Sequence, residues 1–133
     1  MADFKVNFEV VWDHIHLRTP DVEATAKWFE SMLGAEVIRL PQRIDLVLGG
    51  AKVFLAPVTQ GDGVNPAPVS PYQGLDHFAL SVKDVDAVAA ELKAKGVTFT
   101  TEVHTPRPGI RICFIRGPQG VSIELLERDP KYT

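Results

Sequence analysis

Two Asp-His pairs, Asp13-His14 and Asp76-His77, stand 63 positions apart in the chain, and one further acid, Glu124, sits between Ile123 and Leu125. Two neutral imidazoles and a carboxylate are donors that divalent ions accept. Such a set fills three facial positions and leaves the others open, the pattern of non-haem Fe(II), with Mn(II), Ni(II) and Zn(II) as competitors. Under a 2+ ion the site keeps a charge of about +1, so its open positions favour an anionic, bidentate oxygen ligand. A lone histidine on a strand is more often solvated or satisfied than ligating. Repetition changes that balance: each histidine follows Asp and precedes a leucine by three residues, Leu17 or Leu80. Packing alone would favour an aliphatic side chain at both places.

The elements that must position these residues follow from the same repeat. At an offset of 63, residues 13–26 fall on 76–89, and seven of the fourteen pairs are identical: Asp13/Asp76, His14/His77, Leu17/Leu80, Asp21/Asp84, Val22/Val85, Ala24/Ala87 and Ala26/Ala89. A one-residue slip then matches Gly34 with Gly96. The chain reads as two copies of one unit.

Residues 11–18 alternate, with Ile15 and Leu17 on one face and His14, His16 and Arg18 on the other, the period of a half-buried strand. Residues 77–82 repeat the pattern with Phe78, Leu80 and Val82 opposite His77. Between Pro20 and Leu33 an apolar stripe of Val22, Ala26, Phe29 and Leu33 predicts a helix, stopped by Gly34. A second helix is predicted from Val85 to Lys95, capped by Asp84 and ended by Gly96. Arg43–Leu48 and Lys52–Ala56 flank a Gly49-Gly50 hairpin turn. Val97–Val103, Ile110–Arg116 and Val121–Leu126 are the later strands, the last two joined by Gly117-Pro118-Gln119-Gly120. His104, beside Thr105-Pro106, reads as a loop residue. Two βαβββ modules result, residues 1–58 and 75–133, joined by a Gly- and Pro-rich linker at 59–74. If each helix covers its sheet's apolar face, the opposite faces carry His14, His16, Arg18, His77 and Glu124. Pseudo-symmetry would then bring His14, His77 and Glu124 together.

The 133 residues are 45% apolar and 23% charged, with a formal charge of −3, a composition that suits one globular domain and leaves no basic footprint for nucleic acid. Cys113 is the only cysteine, so no internal disulfide forms and a reducing compartment is expected. Met-Ala-Asp-Phe-Lys places an acid and a base where a secretory signal needs a basic end and an apolar stretch. No apolar run approaches the roughly 18–20 residues of a membrane span. The expectation is a soluble cytoplasmic protein that engages neither membrane nor nucleic acid.

The segment Asp13-His14-Ile15-His16-Leu17-Arg18-Thr19-Pro20-Asp21, with Trp28-Phe29 and Leu33-Gly34 behind it, resembles the opening of the vicinal oxygen chelate superfamily. That group includes glyoxalase I, extradiol dioxygenases, methylmalonyl-CoA epimerase, and the bleomycin and fosfomycin resistance proteins. Asp76-His77-Phe78-Ala79-Leu80-Ser81-Val82 resembles its second opening. Gly117 to Leu125 resembles its closing strand with an acidic ligand. The resemblance implies an α+β fold of paired, cup-shaped mixed sheets and four ligand stations, here His14, Phe54, His77 and Glu124. Phe54 cannot bind a metal and passes to the substrate wall. Glyoxalase I and the epimerase fill that station with Glu or Gln, whereas extradiol dioxygenases use His, His and Glu alone. Arg18 sits where glyoxalase I places an arginine that binds the glutathione carboxylate.

The expected function is that of a metal-dependent enzyme whose ion, Fe(II) by preference, is chelated by vicinal oxygens of a small substrate. His14, His77 and Glu124 are the metal ligands, His16 and Glu124 the acid-base candidates, and Arg18, Phe54 and Arg111 the substrate-binding candidates. Arg111 represents a cluster with Arg107 and Arg116 that could bind an anionic substrate end. Asp45 is a candidate to support the metal from behind its ligands. The three-ligand set leans toward an extradiol-type dioxygenase. The alternatives are a glyoxalase-like lyase, isomerase or epimerase, and a metal-free protein that binds a small molecule such as an antibiotic. A homodimer is expected, with the modules paired within a chain or exchanged between chains.

Overall fold

The computed structural model describes residues 6–132, so the opening Met1–Lys5 lies outside the described residues. Asp21 and Asp84 each begin a helix by accepting a backbone N–H three residues on, from Ala24 at 3.0 Å and from Ala87 at 3.1 Å. This satisfies a donor that every helix start leaves free. The helices are α1, Val22–Leu33, and α2, Val85–Ala94. Past each lies a glycine in the left-handed region, Gly34 at φ 70° and Gly96 at φ 83°. A side chain there would be strained. The next N–H in each case turns back to the helix, Ala35 to Phe29 and Val97 to Leu92.

The strands are β1 His14–Thr19, β2 Glu36–Leu40, β3 Arg43–Leu48 and β4 Ala51–Pro57, then β5 Phe78–Ser81, β6 Phe99–Arg107, β7 Ile110–Arg116 and β8 Ser122–Arg128. They form two four-stranded sheets in the orders β1-β4-β3-β2 and β5-β8-β7-β6. In each sheet the first pair is parallel and the others antiparallel. The same α+β unit is therefore built twice, as the internal repeat requires.

Two segments depart from the sequence expectation. β2 lies at a sheet edge with Ile38 and Leu40 exposed, so its residues show no in-out alternation. β6 continues through His104-Thr105-Pro106, expected as loop. It is the edge strand of its sheet, where the N–H that proline lacks can go unpaired.

Elsewhere alternation decides burial. Ile44, Leu46 and Leu48 of β3, Val53 and Leu55 of β4, Cys113 and Ile115 of β7, and Ile123 and Leu125 of β8 all enter one core with Ala26 and Phe29 of α1 and Val85 and Leu92 of α2. Burying a side chain such as Phe29 or Leu46 contributes about 1.5–3 kcal/mol. This core belongs to both units. Trp28 of α1 lies against the turn of the second unit, since a Cβ added at Gly117 would meet its ring at 3.5 Å and Ile123 at 3.1 Å. Lys95 Nζ also donates to the Ser31 carbonyl at 2.8 Å. The helix-bearing faces thus share the core, and the polar face of each sheet is left outside it. No helix among the described residues is long and apolar enough to cross a membrane.

Candidate functional site

On the second sheet, β5 runs parallel to β8 with Ala79 opposite Glu124, and His77 immediately precedes β5. This places His77 Nε2 3.1 Å from Glu124 Oε1, while Nδ1 lies 2.7 Å from Asp76 Oδ2. Asp76, an acceptor when ionised, fixes the proton on Nδ1 and so turns Nε2 toward Glu124. The His77 side chain is 30% exposed and that of Glu124 17%. The hydrogen bond to Asp76 first, then the Glu124 carboxylate, raise the His77 pKa against the opposing effect of burial. Phe114, opposite Glu124 across β7 and β8, meets the His77 ring edge-on at 4.9 Å. A divalent ion competes with the proton for the Nε2 lone pair. The oriented imidazole and half-buried carboxylate fit such an ion as two of its ligands.

The first sheet repeats half of this. His14 Nδ1 lies 2.7 Å from Asp13 Oδ2, the same contact that Asp76 makes. In the register of β1 with β4, Phe54 stands opposite His16, the position that Glu124 occupies opposite Ala79. Where the second sheet has a carboxylate, the first has an aromatic ring. Phe54 stacks on His14 at 4.0 Å, and the Arg43 guanidinium, paired with Asp45, lies 4.6 Å from the Phe54 ring centre. Asp45 is thereby engaged with Arg43. His16, also exposed, approaches His14 edge-on at 5.9 Å. One sheet offers one ligand and the other two.

Within one chain, and among the described residues, no three His, Cys, Asp or Glu side chains come together as a metal site. The expected convergence is met by His77 and Glu124 but not by His14. The core is shared between residues of both modules, among them Phe29, Leu46, Leu92 and Ile123, and the His14 and Glu124 faces lie outside it. Arg18 is exposed and lines a cavity of about 430 Å³ with Val64, Tyr72 and other linker residues and with Gln119 of the second unit's turn. It makes no ion pair among the described residues. His104 is exposed on β6, its Nδ1 3.0 Å from the Glu102 carbonyl.

Arg111 requires a correction. Its neighbours across β8 put it on the face opposite Glu124: Arg111 pairs with Glu127, whereas Phe114 pairs with Glu124 and Arg116 with Ser122. The guanidinium is held by both oxygens of Asp86 on α2, from Nε at 2.7 Å and Nη2 at 2.8 Å. Arg111 ties helix to sheet and does not share the face of His77. The residues of β7 that do are Ile110, Ile112, Phe114 and Arg116, the first three packed with Leu126 in a small apolar cluster, and the alternation of Ile-Arg-Ile-Cys-Phe-Ile-Arg is the signal that separates Arg111 from Arg116.

A family model described as the Glyoxalase/Bleomycin resistance protein/Dioxygenase superfamily matches residues 12–125. A lactoylglutathione lyase of Arabidopsis thaliana is 29% identical over 129 residues, covering 88% of this chain, but the chain spans only 44% of that protein's length. A lactoylglutathione lyase of Haemophilus influenzae is 27% identical over 126 residues, covering 86% of this chain and 90% of its own. Among solved structures, a fosfomycin resistance protein from Listeria monocytogenes superposes with a TM-score of 0.71 at 18% identity, over 93% of this chain and 98% of its own, a likeness of fold.

Proposed function

The chain belongs to the Glyoxalase/Bleomycin resistance protein/Dioxygenase superfamily, and on that premise we propose that it is a metal-dependent lyase or isomerase of the glyoxalase kind. Its substrate is a small molecule with vicinal oxygens, and its site is completed across a homodimer. The observation that carries this reading is the His77–Glu124 pair, oriented by Asp76 and lacking only the third donor. The repeat supplies that donor as His14 of the partner subunit, already oriented by an aspartate in the same way.

A bound divalent ion, whether Fe(II), Mn(II), Ni(II) or Zn(II), supplies Lewis acidity to the adjacent substrate oxygens. The chain supplies the rest. Glu124, the carboxylate among these groups, takes a proton from one substrate carbon and returns it to its neighbour, and its half-buried position keeps that proton from bulk water. His16, exposed near His14, exchanges protons with solvent, and Arg18 anchors a substrate carboxylate at the mouth of its cavity. Phe54 and Phe114 wall the site and donate no proton, which favours an internal proton shift over ring cleavage. The names of the relatives favour it too.

One observation favours an extradiol-type oxygenase: with Phe54 in the fourth station only His, His and Glu remain. The experiment that decides is metal analysis of protein purified without chelator, followed by two assays. The proposal expects about one ion per chain, lost in Glu124→Ala, and consumption of a hemithioacetal without oxygen uptake. Oxygen uptake with a catechol would transfer the protein to the oxygenase reading, and metal-free protein that still binds a small molecule would make it a binding protein.

A further inference from the structure

Arg39, Arg43, Arg111 and Arg116 can be compared by the same edge of the guanidinium, Nε with Nη2, and differ in what fills it; in Arg43 it faces Asp45 at 2.9 and 3.2 Å. In Arg39 the edge holds Glu23 at 3.1 and 2.9 Å, and in Arg111 it holds Asp86 at 2.7 and 2.8 Å. In Arg116 it holds nothing among the described residues. Arg116 spends only Nη1, which donates to Ser70 Oγ at 3.0 Å and to the Gly120 carbonyl at 3.1 Å. Both acceptors are neutral. Of the five N–H donors of a guanidinium, the three on Nε and Nη2 are left without a protein acceptor, and these form the fork that a carboxylate takes bidentately.

The position matters as much as the open fork. Arg116 shares the Glu124 face of β7 and β8, one register step beyond Phe114, where diagonal neighbours lie about 7–8 Å apart. It lines a cavity of about 230 Å³ with Asp76, Thr101, Phe114 and Ser122, beside the His77–Glu124 pair. It also borders a second cleft of about 300 Å³. Asp76 is the acid that lines this cavity, but its Oδ2 is engaged by His77, and it forms no ion pair with Arg116.

We propose that Arg116 binds an anionic group, a carboxylate, at the end of the substrate remote from its chelating oxygens, and so selects substrates that carry one. The inference deepens the metal-dependent reading and rests on it. Ser70 and Gly120 hold the guanidinium from behind, so the linker and the Gly117–Gly120 turn fix the distance from the anion to the chelating end. An acid of that length gains a charge-assisted pair that its neutral-ended analogue lacks.

The test uses the full chain loaded with manganese, with metal binding verified first by electron paramagnetic resonance. Calorimetry then compares two 2-oxo diacids, 2-oxoglutarate and 2-oxoadipate, with monoacids of equal length, 2-oxovalerate and 2-oxohexanoate. All four chelate through the oxo and adjacent carboxylate oxygens, and only the diacids carry a second anion. At least one diacid should bind about 10- to 100-fold tighter than its monoacid partner. Arg116→Gln should abolish that preference while leaving monoacid affinity unchanged, and Arg116→Lys should retain part of it. A purely structural role would weaken both series alike. If manganese binds and no diacid preference is found, or if the preference survives in Arg116→Gln, the inference falls. If manganese itself fails to bind, the metal-dependent reading falls, and this inference with it.

Discussion

If the site is shared between chains, two inactive variants should repair each other. His14→Ala removes the ligand given by the first sheet, and His77→Ala removes one of the two given by the second. A homodimer of either variant has no complete site. In a heterodimer, one site draws His14 from the His77→Ala chain and His77 with Glu124 from the His14→Ala chain, so it is whole, and the other is doubly deficient. Random pairing makes about half of all dimers mixed, each with one of two sites intact, so the mixture should regain about a quarter of wild-type metal occupancy and activity. The assay is co-expression of the variants with different affinity tags, native mass spectrometry to count mixed dimers, and metal analysis of those carrying both tags, where occupancy should reach about half. The magnitude depends only on His14 reaching the His77–Glu124 pair from the other chain, and on no energy term. Mixed dimers that bind no metal would refute the reasoning, and so would a monomeric wild-type protein that holds a full complement.

Three further outcomes follow from the same geometry. Asp76→Asn, which weakens the acceptor 2.7 Å from His77 Nδ1, should lower metal affinity about 10- to 100-fold with the fold intact, as measured by competition with a chromogenic chelator. Arg111→Ala should leave the urea-denaturation midpoint nearly unchanged, because its pair with Asp86 is solvent-exposed, and should leave substrate KM unchanged, in contrast to Arg116→Gln. The Cys113 thiol, buried and pushed up to about 11, chiefly by that burial, is protonated at pH 8. Its alkylation by iodoacetamide should therefore follow the rate of unfolding, and fast labelling of folded protein would show the core around β7 to be open.

The repeat made the fold readable because it duplicated signals that are weak alone: an Asp cap, an apolar stripe and a terminal glycine recur in register, and both helices and the two βαβββ units follow, though not the strand order within each sheet. β2 and the end of β6 escaped because edge strands bury little, so Ile38, Leu40 and Pro106 carry no pattern that packing has imposed. The site was readable to the depth of its residue types. His14 and His77 with their aspartates, and Glu124, could be named from the sequence, but whether His14 joins the other two depends on which faces the two units bury against each other, a choice written in Trp28, Gly117 and Lys95 and not in the strand motifs. The arginines show the finer limit. Arg111 and Arg116 differ by five positions, an odd number, so on one strand they must face opposite ways. A cluster counted along the sequence merges them, whereas alternation assigns Arg111 to the helix and its waiting Asp86, and leaves Arg116 on the face where Glu124 stands with its fork unfilled.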